Sequence, residues 1–214
     1  VRKVEKIINI DSSMDKIEVN KVLKKLAYEI RLGKIAILPT STIYGICTNA
    51  LNEESVRKIY EIKRRNNEKP LIVLVNGIKM LNKITYRLGN LEEKLVNKFW
   101  PGPLTLVLKK KKCILNVVTG GKDTVGVRWD GNYIINEIIS NAKVPIVAPS
   151  ANISGNCNAD SIEKIETEIK EKVDYIVNVG KLNDLKESTL VQVQNDNLKI
   201  LREGKIKKEE FEQL

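Results

Sequence analysis

The sequence predicts an α/β domain built on a twisted, mixed sheet with helices packed on it. Short apolar runs typical of strands alternate with helical patterns along the chain. The last two strand candidates, 188–193 and 198–202, follow each other without a helix between them, which favours a mixed sheet over a purely parallel one. No internal repeat and no linker rich in Pro, Ser or Gly interrupts the 214 residues. One domain is therefore the simplest division.

Hydrophobic periodicity places the elements in order. Helical spacing of Val19, Leu23, Leu26 and Ile30 predicts a helix over about 17–32 that ends at Gly33. An apolar run at 35–38 then ends at Pro39, and Asn52 is placed to cap the next helix, which carries Val56, Ile59, Tyr60 and Ile62. The remaining strand candidates are 71–75, 104–108, 124–128, 145–148, 175–179, 188–193 and 198–202, and the remaining helix candidates are 91–100, 132–142 and 161–172.

The amino-acid composition indicates which kinds of binding partner and which cellular location to expect. The 37 Lys and Arg residues against 27 Asp and Glu residues give a net charge of +10, which favours anionic partners such as a nucleotide, RNA or a membrane surface. The chain is rich in Lys, Asn and Ile throughout, so this charge alone is weak evidence. Apolar runs such as 71–75 are too short to span a membrane, and charged residues interrupt the first ten positions. We expect no membrane partner, no signal peptide and a cytoplasmic location.

The residues that are scarce exclude several kinds of chemistry. Cys47, Cys113 and Cys157 lie far apart and lack a CxxC spacing, so neither a disulfide framework nor a thiolate zinc site is expected. The chain contains no histidine. This excludes Ser-His-Asp and Cys-His catalysis and the commonest general base. Any chemistry must use Lys, Arg, hydroxyl groups, carboxylates or a metal carried by the substrate.

Two apolar strand candidates each end in a proline followed by polar side chains. After Pro39, the hydroxyl groups of Thr40, Thr42 and Tyr44 are two residues apart, so an extended segment would place them on one side. After Pro149, Ser150 and Asn152 repeat this layout and could bond phosphate or orient a metal-bound triphosphate. Ligands gather at the carboxyl ends of strands in open α/β sheets. The alternative is that these side chains bond their own turns.

A basic segment ends the helix that Asn52 is expected to begin. Pro70 biases this segment towards an extended exit, in which Lys63 and Arg65 would face the same side and bind one anion, such as a triphosphate. A solvated cluster that complements the helix dipole is the alternative. Further along, the stretch 119–124 lacks phosphate-loop spacing and predicts a hairpin turn. The basic run 109–112 predicts a solvated strand end with weak affinity for RNA.

Seven stretches, taken together, resemble the YrdC-type threonylcarbamoyl-AMP synthase family. In order, they are Pro-Thr-Ser-Thr-Ile-Tyr-Gly at 39–45, Lys-x-Arg at 63–65 running into Lys-Pro-Leu at 69–71, Trp-Pro-Gly-Pro-Leu-Thr at 100–105, Thr-Val-Gly-Val-Arg at 124–128, Pro-Ser-Ala-Asn at 149–152, Glu-Ser-Thr at 187–189 and Leu-Arg-Glu-Gly at 201–204. The resemblance extends from about residue 18 to 205, nearly the whole chain.

The resemblance implies a YrdC-like fold with an open, concave, basic cavity. It also implies a nucleotidyltransferase that uses ATP to join L-threonine and bicarbonate into L-threonylcarbamoyl-adenylate, with release of pyrophosphate. Mg²⁺ would accompany the ATP phosphates, and no protein side chain is implied as a metal ligand. A downstream complex would transfer the threonylcarbamoyl group to tRNA. The chain is similar to the short, single-domain members, with 1–214 as one domain and 206–214 as a polar tail or short helix.

The resemblance also implies the roles of individual site residues. The catalytic set is Lys63, Arg65 and Asn152; the residues expected to hold L-threonine are Thr42, Arg128, Ala148 and Ser188; those expected to contact ATP are Arg65, Lys69, Thr124, Ser150, Asn158 and Arg202. This sequence departs from many members at Leu74, where they have His, and at Trp129, where they have Pro. We expect the first departure to remove a polar contact to threonine.

Such a reaction does not require histidine. The carbamate formed from threonine and bicarbonate is already an anionic nucleophile, so its attack on the α-phosphate needs no strong base. Lys63, Arg65 and Arg202, with Mg²⁺ on the phosphates, would stabilise the charge that develops during adenylyl transfer. Two alternatives stay open: an RNA-binding module of the same fold without catalysis, and a paralogue that adenylates another carbamoyl compound.

Overall fold

The computed structural model describes residues 6–11, 13–183 and 186–212. In this part of the chain the strands are β1 (Ile7–Asn9), β2 (Ala36–Leu38), β3 (Gly45–Asn49), β4 (Ile72–Val75), β5 (Leu104–Lys109), β6 (Thr124–Trp129), β7 (Ile146–Val147), β8 (Tyr175–Asn178), β9 (Thr189–Gln194) and β10 (Asn197–Arg202). They form one sheet in the order β1-β8-β2-β3-β7-β4-β6-β5-β9-β10. Four neighbouring pairs are parallel and five are antiparallel. The predicted mixed sheet is confirmed.

Helices cover both faces of this sheet. The described residues form α1 (Lys16–Arg31), α2 (Glu53–Lys63), α3 (Ile78–Ile84), α4 (Asn90–Phe99), α5 (Asn116–Thr119), α6 (Tyr133–Ala142) and α7 (Thr167–Lys172). Leu23 and Ile30 of α1 pack with Ile135 and Ile139 of α6 in one core cluster, and α2 and α4 bury their apolar residues in the other. Strand β4 serves both clusters because successive side chains point to opposite faces of a sheet.

Local chemistry explains the ends of α2. The side chain of Asn52 accepts a hydrogen bond from the Ser55 amide at 3.0 Å, so the predicted cap is confirmed. Glu53 and Glu54 lie in the first turn, where negative charge complements the helix dipole. Arg64 ends the helix in the left-handed conformation, with φ of 49°. Because of this left-handed turn, the side chains of Lys63 and Arg65 point in different directions.

Several short elements are too short for hydrophobic periodicity to predict them. Strands β1 and β3 and helices α3 and α5 were not predicted; strand β1 has three residues and α5 has four, so they carry little periodic signal. The predicted helix over 161–172 is interrupted, because Ile165 is extended and Glu166 is not helical between a 3₁₀ turn (Ile162–Lys164) and α7. The Glu166 carboxylate accepts a hydrogen bond from the Ile153 amide at 3.2 Å, which ties it to another loop.

The predicted hairpin turn at 119–124 is confirmed in part. Strands β5 and β6 pair antiparallel, and the Lys122 amide donates to the Thr119 carbonyl oxygen at 3.2 Å, as in a turn. The connection also contains α5, which ends at Gly120 with φ of 57°. A Cβ atom at Gly120 would lie 2.4 Å from the carbonyl oxygen of Glu68. The glycine therefore lets this connection approach the segment after α2.

The segment after β10 packs onto the domain. Ile206 and Phe211 are buried, and the ring centroids of Phe211 and Phe99 are 5.2 Å apart. A 3₁₀ turn covers Lys208–Phe211, so the short-helix alternative holds for these residues, whereas 213–214 lie outside the described residues. The first five positions of the predicted N-terminal segment also lie outside them. Among the helices of the described chain, none has the length and apolar character needed to cross a membrane.

Candidate active site

A cavity of about 630 Å³ opens over strands β4, β6, β5 and β9 of the sheet. Its floor is a row of paired residues on four strands: Ile72, Gly126, Val107 and Gln192. Nine of the twelve residues implied by the resemblance line this cavity: Thr42, Arg65, Lys69, Thr124, Arg128, Ala148, Ser150, Ser188 and Arg202. Stretches distant in sequence thus meet at one place, although their individual roles stay predictions.

Basic side chains outnumber acidic ones in the cavity wall. Among the described residues, the basic ones are Arg65, Lys69, Lys122, Arg128 and Arg202, and the acidic ones are Glu68 and Glu187. Lys122 was not among the predicted site residues. It reaches the wall because Thr119 donates to its carbonyl oxygen at 2.8 Å and orders the approach to β6. The excess of positive charge suits a multiply charged anion.

Of the two interpretations of the segment after Pro39, the turn that bonds its own backbone is confirmed at Thr40, and the row of three hydroxyl groups is wrong. The Thr40 hydroxyl oxygen accepts hydrogen bonds from the amides of Thr42 and Ile43, both at 3.2 Å, so the segment bends instead of extending. Thr40 and Thr42 line the cavity, with their hydroxyl oxygens 3.0 Å apart. The Tyr44 hydroxyl instead donates to the carbonyl of Gly180 at 2.8 Å. Tyr44 is therefore a buried structural residue.

Arg128 lies at the inner end of the cavity and is 5% exposed. Its Nη1 donates to the Thr42 hydroxyl at 3.0 Å, and its Nη2 forms an ion pair with Asp130. Its Nε has no partner among the described residues. Burial lowers the pKa of Arg128, while the Asp130 carboxylate opposes this change. Hydrogen-bond capacity therefore remains on a guanidinium that is held in place.

Lys63 and Arg65 do not converge on one anion as predicted. The left-handed Arg64 turns the chain between them. Lys63 is 1% exposed, and its ammonium donates to the carbonyl oxygens of Ser150 and Asn152 and to the Asn152 side-chain oxygen. Burial, followed by the charge of Arg65, lowers the pKa of Lys63 to about 7. Lys63 thus supports the loop after β7 from behind the cavity wall.

Arg65 does line the cavity. Its Nη2 donates to the carbonyl oxygen of Pro70 at 2.9 Å, and Nε donates to that of Lys69 at 3.3 Å. The Tyr60 hydroxyl donates to the same Lys69 carbonyl at 3.1 Å. Burial lowers the pKa of Arg65, and the nearby Arg202 adds to this. Backbone carbonyls therefore orient this guanidinium before any anion binds.

The loop after β7 separates the predicted roles of Ser150 and Asn152. Ser150 lines the cavity, and its hydroxyl donates to Asn152 Oδ1 at 2.6 Å. Asn152 is buried, with its amide donating to the carbonyl oxygen of Asn156 at 2.6 Å. The cavity-lining residues among those described do not include Asn158, which is half-buried further along this loop. The polar groups of Asn152 are thus occupied by this loop and by Lys63 in this structure.

Arg202 is bound to the start of β9. Its Nη1 pairs with the Glu187 carboxylate, and its Nη2 donates to the Ser188 carbonyl oxygen at 2.9 Å. The Ser188 and Thr105 hydroxyl oxygens are 2.7 Å apart. Lys205 then donates to the carbonyl oxygen of Ser41 at 3.0 Å, which joins the segment after β10 to the loop after β2. Lys205 is not among the predicted site residues, because no local pattern marks a partner 164 residues away.

The two departures from the resembled pattern also have defined places. Leu74 is fully buried in the core cluster of α1 and α6, where it pairs across the sheet with Arg128. It lies beyond Ile72 on the same face of β4, under the helices instead of in the cavity wall. Trp129 donates from its indole nitrogen to Asn136 at 3.1 Å. The expected loss of a polar contact at Leu74 stays a prediction.

Comparison with known sequences shows which protein family the chain belongs to. The sequence model of Sua5_yciO_yrdC, described as "Telomere recombination", matches residues 29–204. The chain belongs to this family. It is 42% identical over 201 residues to the "Putative threonylcarbamoyl-AMP synthase" of Methanocaldococcus jannaschii, and the match covers 94% of each protein. It is 37% identical to the threonylcarbamoyl-AMP synthase of Pyrococcus abyssi over 86% of this chain and 54% of that protein.

The Sua5/YciO/YrdC fold is confirmed by comparison with solved structures. The crystal structure of P. abyssi Sua5 complexed with L-threonine matches with a TM-score of 0.90 at 35% identity, covering 97% of this chain and 60% of that one. The chain thus spans little more than half of the Pyrococcus protein and nearly all of the Methanocaldococcus relative. Family membership and the YrdC-like architecture, both predicted from seven short stretches, are confirmed.

Proposed function

We propose that this chain uses ATP to convert L-threonine and bicarbonate into L-threonylcarbamoyl-adenylate, with release of pyrophosphate. The observation that carries the proposal is the convergence of nine residues from separate stretches on one cavity, in a chain of the Sua5/YciO/YrdC family. The 42% identity to a relative with this name over nearly its whole length supports it. So does the likeness to a Sua5 structure that contains L-threonine.

The inner end of the cavity suits an amino-acid carboxylate. Arg128 keeps one Nε hydrogen and part of its Nη hydrogens for a ligand, while Thr42 and Asp130 hold its plane. A guanidinium matches a carboxylate through two parallel hydrogen bonds. Thr42, Ala148 and Ser188 line the same cavity and would contact the rest of the threonine molecule.

The remaining basic side chains suit the phosphates of ATP. Arg65, Lys69, Lys122 and Arg202 line the wall and would neutralise phosphate oxygens, with Thr124 and Ser150 as hydroxyl donors. The described residues contain no cluster of three or more carboxylate or thiol side chains that could hold a metal ion. The family resemblance implies that Mg²⁺ enters as the MgATP substrate, where it would supply positive charge on the phosphates.

Catalysis in this cavity would rest on positioning and electrostatics. The threonine amine adds to carbon dioxide and loses a proton, or adds to bicarbonate with loss of water, to give the carbamate. The carbamate oxygen then attacks the α-phosphate as pyrophosphate leaves. Since the carbamate is already an anion, no protein base is needed at that step. Arg65 and Arg202 would stabilise the charge on the phosphates, because their guanidinium groups are already oriented by carbonyl or carboxylate partners.

The product defines the next partner. A threonylcarbamoyl-adenylate is a mixed anhydride that reacts readily with an amine, and the family resemblance implies that a transferase that modifies an adenosine of tRNA consumes it. We propose this partner and a cytoplasmic location on the same basis as the activity. Direct, weak binding of tRNA to the chain also stays a prediction.

The decisive experiment measures pyrophosphate release from ATP with Mg²⁺, L-threonine and bicarbonate, omitting each component in turn. We expect release only with the full mixture, together with the mass of threonylcarbamoyl-adenylate. ATP binding without release for any amino acid would favour the paralogue that adenylates another carbamoyl compound. Binding of RNA that weakens with salt, in a protein indifferent to ATP, would favour the RNA-binding module.

A further inference from the structure

Asp130 lies beside the threonine end of the cavity and is fully buried. Its Oδ1 accepts hydrogen bonds from the amides of Ser41 at 2.9 Å and Asn132 at 2.7 Å. Its Oδ2 accepts from the Ser41 hydroxyl at 3.1 Å and from Arg128 Nη2. Four donors from three segments therefore meet on one carboxylate.

These three segments build one end of the cavity. Ser41 belongs to the loop after β2, between the lining residues Thr40 and Thr42. Arg128 ends the cavity side of β6. Asn132 caps α6 by accepting from the Ile134 amide at 2.9 Å. Asp130 thus links the loop after β2 and the Arg128 guanidinium to the N-terminus of α6.

Asp130 has little capacity left to bind a ligand directly. An ionised carboxylate offers about four lone-pair sites, and four donors already occupy this one. The threonine ammonium would have to displace one of them. Asp130 therefore acts through its neighbours, and its effect on a ligand passes through Arg128 and the Ser41 loop.

We propose that Asp130 is a positioning residue that preorganises the carboxylate-binding part of the L-threonine subsite; this inference rests on the proposed function. Asp130 holds Arg128 Nη2, and Thr42 holds Nη1, so the plane of the guanidinium is set before threonine arrives. Its bonds to Ser41 place Thr42 for that contact. Without Asp130, a buried guanidinium would also lack a counter-ion, and it would turn towards other acceptors.

The variant Asp130→Asn tests this arrangement. Its amide nitrogen would meet Arg128 Nη2 donor to donor, while its oxygen could still accept from the two backbone amides. We expect the Kd for L-threonine, measured by calorimetry, to rise about 10- to 100-fold, as for loss of a charged hydrogen bond. The Kd for ATP and the kcat at saturating threonine should change less than about twofold, because their contacts lie elsewhere in the cavity.

Asp160→Asn is the matched control. Asp160 is also a buried aspartate, but it pairs with Lys164 at 2.9 Å, away from the cavity wall. Its threonine Kd should stay within about twofold of wild type. A folded Asp130→Asn protein that binds threonine like wild type would overturn the proposal, as would a loss of ATP affinity equal to that of threonine.

A second variant covers the case in which Asp130→Asn does not fold. Ser41→Ala removes the hydroxyl bond to Asp130 Oδ2 and keeps the ion pair with Arg128. We expect its threonine Kd to rise about 3- to 10-fold with ATP affinity unchanged; an unchanged threonine Kd would overturn the proposal. A wild-type protein that binds no threonine would overturn the proposed function together with this inference, whereas unaltered variants beside an active wild type overturn the inference alone.

Discussion

Lys63 and Asn152 are joined by two hydrogen bonds from one ammonium. The Lys63 Nζ donates to the backbone carbonyl of Asn152 at 2.6 Å and to its side-chain oxygen at 3.1 Å, and a third bond goes to the Ser150 carbonyl. The last residue of α2 thereby supports the loop that carries Ser150 into the cavity. The two residues act as one buried support in this structure.

Replacing this support should lower stability. Lys63→Met keeps most of the volume but removes three hydrogen bonds and leaves the Asn152 carbonyl oxygen without a donor, whereas the Ser150 hydroxyl and the Asn152 amide still serve the other two oxygens. We expect the free energy of unfolding, measured with urea, to fall by about 1–3 kcal/mol, the cost of one unsatisfied buried group. Lys58→Met, on the exposed face of the same helix, should change it by less than about 0.5 kcal/mol. Equal stabilities of the two variants would contradict the support role.

The lowered pKa of Lys63 predicts a pH dependence of stability. Between pH values of about 7 and 10.5, the unfolded chain holds a proton that the folded protein has released. Because the unfolded state binds more protons there, the stability of wild type relative to Lys63→Met should rise with pH, by at most about 1.4 kcal/mol per pH unit. Urea unfolding of both proteins across this range would measure it, and a flat or falling difference would refute the shift.

Arg65 should matter for turnover rather than for folding. Its guanidinium lines the cavity and is oriented by the Lys69 and Pro70 carbonyls. We expect Arg65→Ala to lower kcat for pyrophosphate release about 100- to 1000-fold, the typical cost of losing one contact that stabilises a transition state. Arg57→Ala, which removes an exposed arginine paired with Glu53, should leave it within about twofold. Near-normal turnover of Arg65→Ala would remove Arg65 from the mechanism.

Gly204 is required by a close backbone approach. A Cβ atom there would lie 2.2 Å from the Glu187 carbonyl oxygen and 2.7 Å from the Thr189 nitrogen. We expect Gly204→Ala to displace the segment that holds Arg202 and to cost about 2–4 kcal/mol of unfolding free energy by thermal or urea denaturation. Gly131→Ala is the control, because the nearest atom to its added Cβ would be 3.8 Å away. A fully stable Gly204→Ala protein would show that the backbone relaxes without cost.

Long periodic elements were predictable because burial on one face repeats along them. Helix α1 and strands β4 and β6 lie within about two residues of their predicted bounds. Short elements such as α5 could not be predicted, because a single helical turn is too short to show hydrophobic periodicity. The interruption at Glu166 depends on its bond to Ile153, thirteen residues away, which no local pattern encodes.

Most residues of the candidate site could be predicted from the sequence, but their relative positions and hydrogen-bond partners could not. The spacing of Thr40, Thr42 and Tyr44 suggested one row of hydroxyl groups, yet Tyr44 donates to Gly180, 136 residues away. The spacing of Lys63 and Arg65 suggested one anion clasp, yet the left-handed Arg64 directs them to different surroundings. Asp130 gave only the weak signal of an acid two residues after the strand arginine.

The amino-acid sequence by itself determined the α/β class, the main helices and strands, the excluded chemistries and the family, because these depend on local periodicity, composition and short motifs. Only the tertiary structure decided which polar side chains face the cavity and which support it from behind. A side chain's direction depends on the hydrogen-bond partner that it reaches, and for Lys63, Arg128 and Lys205 that partner lies more than eighty residues away.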